Sequence, residues 1–205
     1  MTPTLFSSKD VQGLYSKHQD KLEQYVDLLL WWNQKINLVS RDVSRETINK
    51  HIEHSLIASF FLEGSEKVLD TGTGGGLPGI PLSILHPQIP FILNDIQMKK
   101  GAALRQMTSE LGLSHVSIHI SSIDQMILEE PVTVVSKHAF KIKDLMPALK
   151  KVQWRDIVLL KGLLDIDLEL GYLTQVEASV LNLHEVMKDE WYKGKGLLRV
   201  RRIER

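Results

Sequence analysis

The 205-residue chain contains no cysteine. Disulfides, thiolate nucleophiles and thiolate-bound zinc are therefore excluded, and a reducing, cytoplasmic setting is expected. No run of about eighteen apolar residues occurs, so no membrane-spanning helix and no membrane partner is expected. The first twenty residues, MTPTLFSSKDVQGLYSKHQD, lack the apolar core of a secretory signal. Charge of one sign is missing too: 25 Lys and Arg against 25 Asp and Glu leave a formal net charge of +0, so no global field draws nucleic acid. Basic residues instead gather locally, in KHAFKIKDLMPALKKVQWR and in the C-terminal LLRVRRIER. Such patches bind phosphate or are simply solvated faces. Repeats, low-complexity runs and Pro/Ser-rich linkers are absent, which at this length points to one well-buried domain with a small extension.

What is present is a change of period. LEQYVDLLLWWNQKINLVS and ETINKHIEHSLIASFFL place apolar residues three and four apart, so the first sixty residues read as helix. Strand-like KVLD, FILND, VSIHI, VTVVS, DIVLLK and GLLRVRR follow, the early ones separated by helix-like PGIPLSILH and KKGAALRQMTSELG. Strand–helix alternation predicts an α/β fold with a mostly parallel sheet covered on both faces. The expected organisation is an N-terminal helical cap over 1–62 and an α/β domain over 63–205, unfolding as one unit.

Between strand KVLD and helix PGIPLSILH lies the turn TGTGGGL. Gly74, Gly76 and Gly79 spell G-x-G-x-x-G, a dinucleotide fingerprint that would seat a pyrophosphate on a helix N-terminus. That frame starts four residues beyond Asp70, and its last glycine falls at the helix start rather than where helix should pack on strand. The other frame is Asp70-x-Gly72-x-Gly74-x-Gly76, beginning where the strand stops. It resembles motif I of the Rossmann-like methyltransferases that use S-adenosylmethionine (SAM), a ligand without phosphates that needs close backbone approach and acids for an ammonium and a ribose. Asp95, closing FILND, is placed to accept from ribose hydroxyls, as it would for NAD. In SSIDQ, the Ile123 backbone and the Asp124 carboxylate are candidates to read adenine, unless Asp124 is only a turn residue.

Longer matches narrow this. DTGTGGGLPGIPLSI, with its Gly-Leu-Pro-Gly-Ile-Pro run, resembles the glycine loop of the bacterial 16S ribosomal RNA guanine-N7 methyltransferases, the glucose-inhibited division protein B family. WWNQKINLVS, HIEHSL, NDIQMKK and LLKG are similar to other stretches of that family. The resemblance implies a class I SAM-dependent methyltransferase with a seven-stranded sheet. It also implies a monomeric cytoplasmic enzyme acting on 16S rRNA, either free or in the 30S subunit or an assembly intermediate. Its target by resemblance is guanine 527 of the decoding-region loop. By position, the family's SAM contacts fall on Gly72, Leu77, Ile123, Asp124 and His138. The chain departs from the family at His54, where an aspartate is usual, and at Ser122 and His138, where arginines are usual. Lys137 precedes His138 as a substitute charge, without the planar fork of arginine.

Guanine N7 carries a lone pair and no proton, so methyl transfer needs positioning rather than a general base. Asn33, Asn37 and Lys161 are candidate positioning residues, with Trp31 and Trp32 either packing the cap or offering one ring to the base. Lys99, Lys100, Lys137, His138 and Lys161 are candidates for RNA phosphates. His51 and His54, three apart on one helix, suggest a metal pair, but no third ligand is evident and no metal is expected. A non-catalytic SAM- and RNA-binding relative, acting in ribosome assembly or regulation, and an NAD-dependent oxidoreductase are the competing readings.

Overall fold

The computed structural model describes residues 6–203. Three helices open the chain: α1 (Ser8–Lys17), α2 (Gln19–Asn33) and α3 (Arg45–Leu56). In α2 the buried residues Leu22, Tyr25, Val26, Leu29 and Asn33 fall at i, i+3, i+4, i+7 and i+11, forming one inward stripe. The apolar pattern predicts helix onward through Ser40, yet α2 stops at Asn33. The Asn33 side chain is the reason. Its Oδ1 accepts from the Leu38 and Val39 amides, both at 2.9 Å, and its Nδ2 donates to the Ser40 carbonyl at 3.0 Å. Those bonds give the backbone of 34–40 an alternative to helix. Ser44 then caps α3 by accepting from the Thr47 amide.

The rest is a seven-stranded sheet: β1 (Val68–Thr71), β2 (Phe91–Asp95), β3 (Val116–Ile120), β4 (Leu128–Lys137), β5 (Val152–Gly162), β6 (Val176–Asn182) and β7 (Lys195–Arg202). Its order is β3-β2-β1-β4-β5-β7-β6. The first five strands run parallel, and β7 pairs antiparallel with both β5 and β6. Helices α4 (Gly79–Leu85), α5 (Met98–Glu110), α6 (Ile142–Ala148), α7 (Leu163–Glu169) and α8 (Leu183–Met187) complete it. Six of the strands fall on the segments whose sequences predict them. Strand β6 does not: it is a mostly exposed edge strand, and the short alternation of Val176, Ala178 and Val180 in VEASVLN faces little core. Among the described residues no helix is long and apolar enough to cross a membrane.

The chain leaves β1 for β2 on one side and returns as β4 on the other. That reversal opens a crevice at the carboxyl ends of β1 and β4, where α/β sheets bind ligands. One hydrophobic cluster runs from Leu22, Tyr25, Ile48 and Ile52 of the cap to Val68, Val135 and Leu160 of the sheet, while Leu69, Val134, Leu145, Trp154 and Ile157 fill the other face. Tyr25, fully buried in α2, donates its hydroxyl to the Gly75 carbonyl at 2.9 Å, tying the cap to the glycine turn. We propose that cap and sheet unfold together. Tryptophan fluorescence and far-UV circular dichroism are expected to give coincident urea transitions, and Tyr25→Phe to shift both equally, by about 1 kcal/mol for one hydrogen bond. A cap transition separated from the sheet transition would refute this.

Candidate active site

The glycine turn is held from beneath by one acid and from the side by another. Asp70 is fully buried, and its Oδ2 accepts from the Thr73 hydroxyl at 2.6 Å and the Gly79 amide at 2.7 Å. Its Oδ1 has no partner among the described residues, and burial pushes the carboxyl up to about 7 despite those two bonds. Asp95 accepts from the Gly74 amide at 3.0 Å through Oδ2 and from the Gln97 amide at 2.9 Å through Oδ1. At Gly72, φ is +69°, and an added Cβ would lie 2.5 Å from that of Ala139. At Gly79 an added Cβ would lie 2.2 Å from Leu93 of β2, so this glycine does pack helix on strand. The sequence frame that denied it that role was too strict. What disfavours a dinucleotide is Asp95: it occupies the Gly74 amide with a carboxylate, where a pyrophosphate would need free N–H groups.

Two hollows open over this turn. The first, about 430 Å³, is lined by Gly72, Asn94, Asp95, Ile96, Ile123 and Phe140 among others; the second, about 460 Å³, by Val39, Asp42, Thr47, His51, Gly74 and Leu77 among others. They share Gly72, Lys137 and His138. A larger hollow of about 720 Å³, beside Phe60, Glu63 and Ile89, lies at the opposite ends of β1 and β2, away from the loops that bind ligands.

The expected residues divide accordingly. Gly72, Asp95, Ile123, Lys100 and His138 line the first hollow, and Leu77, Gly74 and again His138 the second, with Lys137 between them. Asp70 lies below the turn and lines neither hollow; its bonds to Thr73 and Gly79 hold the loop. Gly76 also lines neither; an added Cβ there would strike Ile80. Asp124 is exposed on the turn 123–125, outside both hollows, as is Lys99 on α5. Asn33 is spent on residues 38–40, and Asn37 is exposed, accepting from Arg41. Lys161 is buried, its Nζ committed to the Phe140 carbonyl at 2.9 Å and Glu169 at 2.8 Å, and so presents no charge to RNA or substrate. Trp31 is half exposed beneath Lys35, while Trp32 packs against the core. In the C-terminal arginine run, Arg199 and Arg201 are bonded to buried Asp156.

Sequence reasoning missed Ile96, Phe140, Asp42 and Thr47. Ile96 is 67% exposed yet directly follows Asp95, and an apolar residue left open at a strand-end acid is the signal that could have found it. His51, in sequence suggestive only of a metal ligand, accepts from the Lys137 ammonium through Nδ1 at 2.9 Å. Among the described residues no three metal-ligating side chains converge.

Beneath the junction His54 is fully buried against His138, Trp191 and Tyr192, with ring centroids 5.7–5.9 Å apart, and neither ring nitrogen has a partner among the described residues. Burial, with Lys137 next, holds its pKa well below the usual value, so it is neutral. Unfolded, it would bind a proton near pH 6.5, so its contribution to stability is present above 6.5 and is lost as pH falls. His54→Leu is expected to stabilise the protein by up to about 1–3 kcal/mol, the cost of an unsatisfied buried polar group. In urea titrations its advantage over the parent should be larger at pH 5.5 than at 7.5; a pH-independent difference would contradict the burial of a neutral imidazole.

Residues 18–168 match the family model GidB, described as rRNA small subunit methyltransferase G. The chain is 45% identical over 139 residues to ribosomal RNA small subunit methyltransferase G of Chlorobium luteolum, covering 64% of this chain and 58% of that protein. With the protein of the same name from Neisseria gonorrhoeae, identity is 38% over 122 residues, covering 60% and 58%. The chain thus spans less than two thirds of the length of these curated relatives. Among solved structures, the O-methyltransferase from Bacillus cereus in complex with SAH superposes with a TM-score of 0.61 at 16% identity, covering 87% of this chain and 90% of that one. The 23S rRNA methyltransferase ErmE superposes at 0.54 and 16% identity, covering 78% and 69%. The fold is that of the Rossmann-like class I methyltransferases, and by the match over 18–168 the chain belongs to the GidB family of small-subunit rRNA methyltransferases.

Proposed function

We propose that this chain transfers a methyl group from SAM to N7 of a guanine in 16S rRNA, in the free RNA, the 30S subunit or its precursor, as a cytoplasmic monomer. The observation that carries the reading is the meeting of two hollows at Gly72, Lys137 and His138, in a chain of this family. The first hollow suits the nucleoside part of SAM. Asp95 keeps lone pairs beside the hollow for a diol, and Ile96 and Ile123 offer apolar walls for a flat base. Gly72 has no side chain where the methionine part would pass. The second hollow, closed on one side by the cap residues Val39, Asp42 and Thr47, is the place for the target base.

When bound, SAM supplies an electrophilic methyl on a sulfonium; the N7 lone pair forms the new C–N bond as the C–S bond breaks, the positive charge passes to the base, and no proton moves. The residues here therefore have only to align two reactants and shed water. Asp42 is the carboxylate that lines the acceptor hollow and can offset the charge the base acquires. Lys100 and exposed Lys99, on α5 beside the first hollow, suit RNA phosphates, and removing either ammonium weakens binding and its salt dependence alike. Ser122 in the first hollow and His138 at the junction, where the family carries arginines, favour a second reading as a non-catalytic SAM- and RNA-binding assembly factor.

Incubation with labelled SAM and either protein-free 16S rRNA or 30S subunits, followed by strand cleavage at 7-methylguanine, decides between the two. Label on one guanine is expected; label on no guanine, with S-adenosylhomocysteine still bound, leaves the assembly factor. Gly72→Ala is expected to weaken S-adenosylhomocysteine binding by calorimetry roughly tenfold or more, the factor for about 1.4 kcal/mol. Unchanged affinity would place the cofactor elsewhere.

A further inference from the structure

By sequence Lys137 is a candidate for an RNA phosphate, and its position points to a different partner. It ends β4, paired in register with Leu160 of β5, and sits part-buried at the junction of both hollows rather than on the rim. Its Nζ is fixed from two directions: by the strand that carries it and by the hydrogen bond to His51 Nδ1, on helix α3 of the cap. His51 acts as an acceptor, since burial and the neighbouring Lys137 hold its pKa down to about 4 and keep it neutral. One N–H of Lys137 is spent in this way, and among the described residues no other group accepts from the rest. Lys161, at the end of the neighbouring strand, has a carbonyl and a carboxylate for its ammonium. Lys137 thus keeps donor capacity where the transferred methyl must cross.

The chemistry of purines then limits what it can meet. On the major-groove edge of guanine, N7 lies beside the acceptor O6, whereas in adenine N7 lies beside the N6 amino donor. A base that aims N7 at a methyl group at this junction brings its neighbouring exocyclic group towards Lys137. An N–H donor is satisfied by O6 and opposed by an amino group.

Resting on the methyltransferase reading above, we propose that Lys137, oriented by His51, donates to O6 of the target base and so selects guanine while fixing N7 for attack. It is a specificity-determining residue rather than a phosphate contact, and it couples the cap to base choice through His51.

Once the labelled guanine is located, that nucleotide is replaced by 2-aminopurine, which keeps N7 but lacks O6, and kcat/KM is measured on both RNAs. The parent enzyme should prefer guanine by roughly tenfold or more, as sites built to hydrogen-bond a substrate atom reject its deletion. Lys137→Met should be slow on guanine and lose most of that preference, with S-adenosylhomocysteine affinity within about twofold of the parent. Lys137→Arg should retain part of the preference. His51→Leu should give an intermediate preference, because it frees the ammonium without removing it. Equal rates of the parent enzyme on both RNAs overturn the proposal without any variant. So does a Lys137→Met enzyme that keeps the full preference, or one that loses cofactor affinity tenfold with its preference intact, which would assign the ammonium to the cofactor. No label on any guanine would instead overturn the methyltransferase reading itself.

Discussion

Two carboxylates bonded to the amides of one glycine turn are what the cleft rests on. Asp70 takes Gly79 and Thr73, and Asp95 takes Gly74 and Gln97. Buried or near-buried acids are costly unless hydrogen-bonded, and the turn's N–H and O–H donors would otherwise lack acceptors, so the acids and the turn stabilise one another. The turn in consequence stands open over β1 instead of collapsing onto it. The first hollow and the second are the spaces left on its two sides.

The cap is part of the same construction. Tyr25 donates to the Gly75 carbonyl, Asn33 folds residues 38–40 back towards the cleft, and His51 reaches Lys137. Three residues from two helices thus tie the cap to Gly75, to residues 38–40 and to Lys137, all of which line the second hollow. The buried imidazole of His54, with no hydrogen-bonding partner among the described residues, is tolerated because its ring is packed by aromatic neighbours and held neutral. A cap that only covered apolar surface would need none of these polar reaches, and all three run towards residues that line the cleft.

How much of this could be read from the sequence differs residue by residue. The strand-turn-helix around Gly72, the acid ending β2 and the Rossmann-like alternation were legible because they are local: a run of apolar residues, then glycines, then a helix start. Roles of long side chains were not. Lys161 and Lys137 both end strands on the ligand side, and sequence gives them equal standing. Glu169 and the Phe140 carbonyl, 8 and 21 residues away, spend one of them, while His51, 86 residues away, holds the other in place. Asn33 reads as a pocket residue because asparagine near an aromatic pair suggests base recognition; it is a helix terminator, since a bonded side-chain amide competes with the helix for the backbone.

By itself the sequence determined the element types, the glycine turn and its two flanking acids, and membership in a family, because each of these rests on neighbours within a few positions or on matched stretches of chain. Tertiary structure alone decided which acid faces the first hollow, which lysine keeps donors to offer, and that the cap supplies one wall of the second hollow. Those outcomes depend on which groups meet across tens of residues, and a donor already bonded inside the protein has nothing left to offer a ligand.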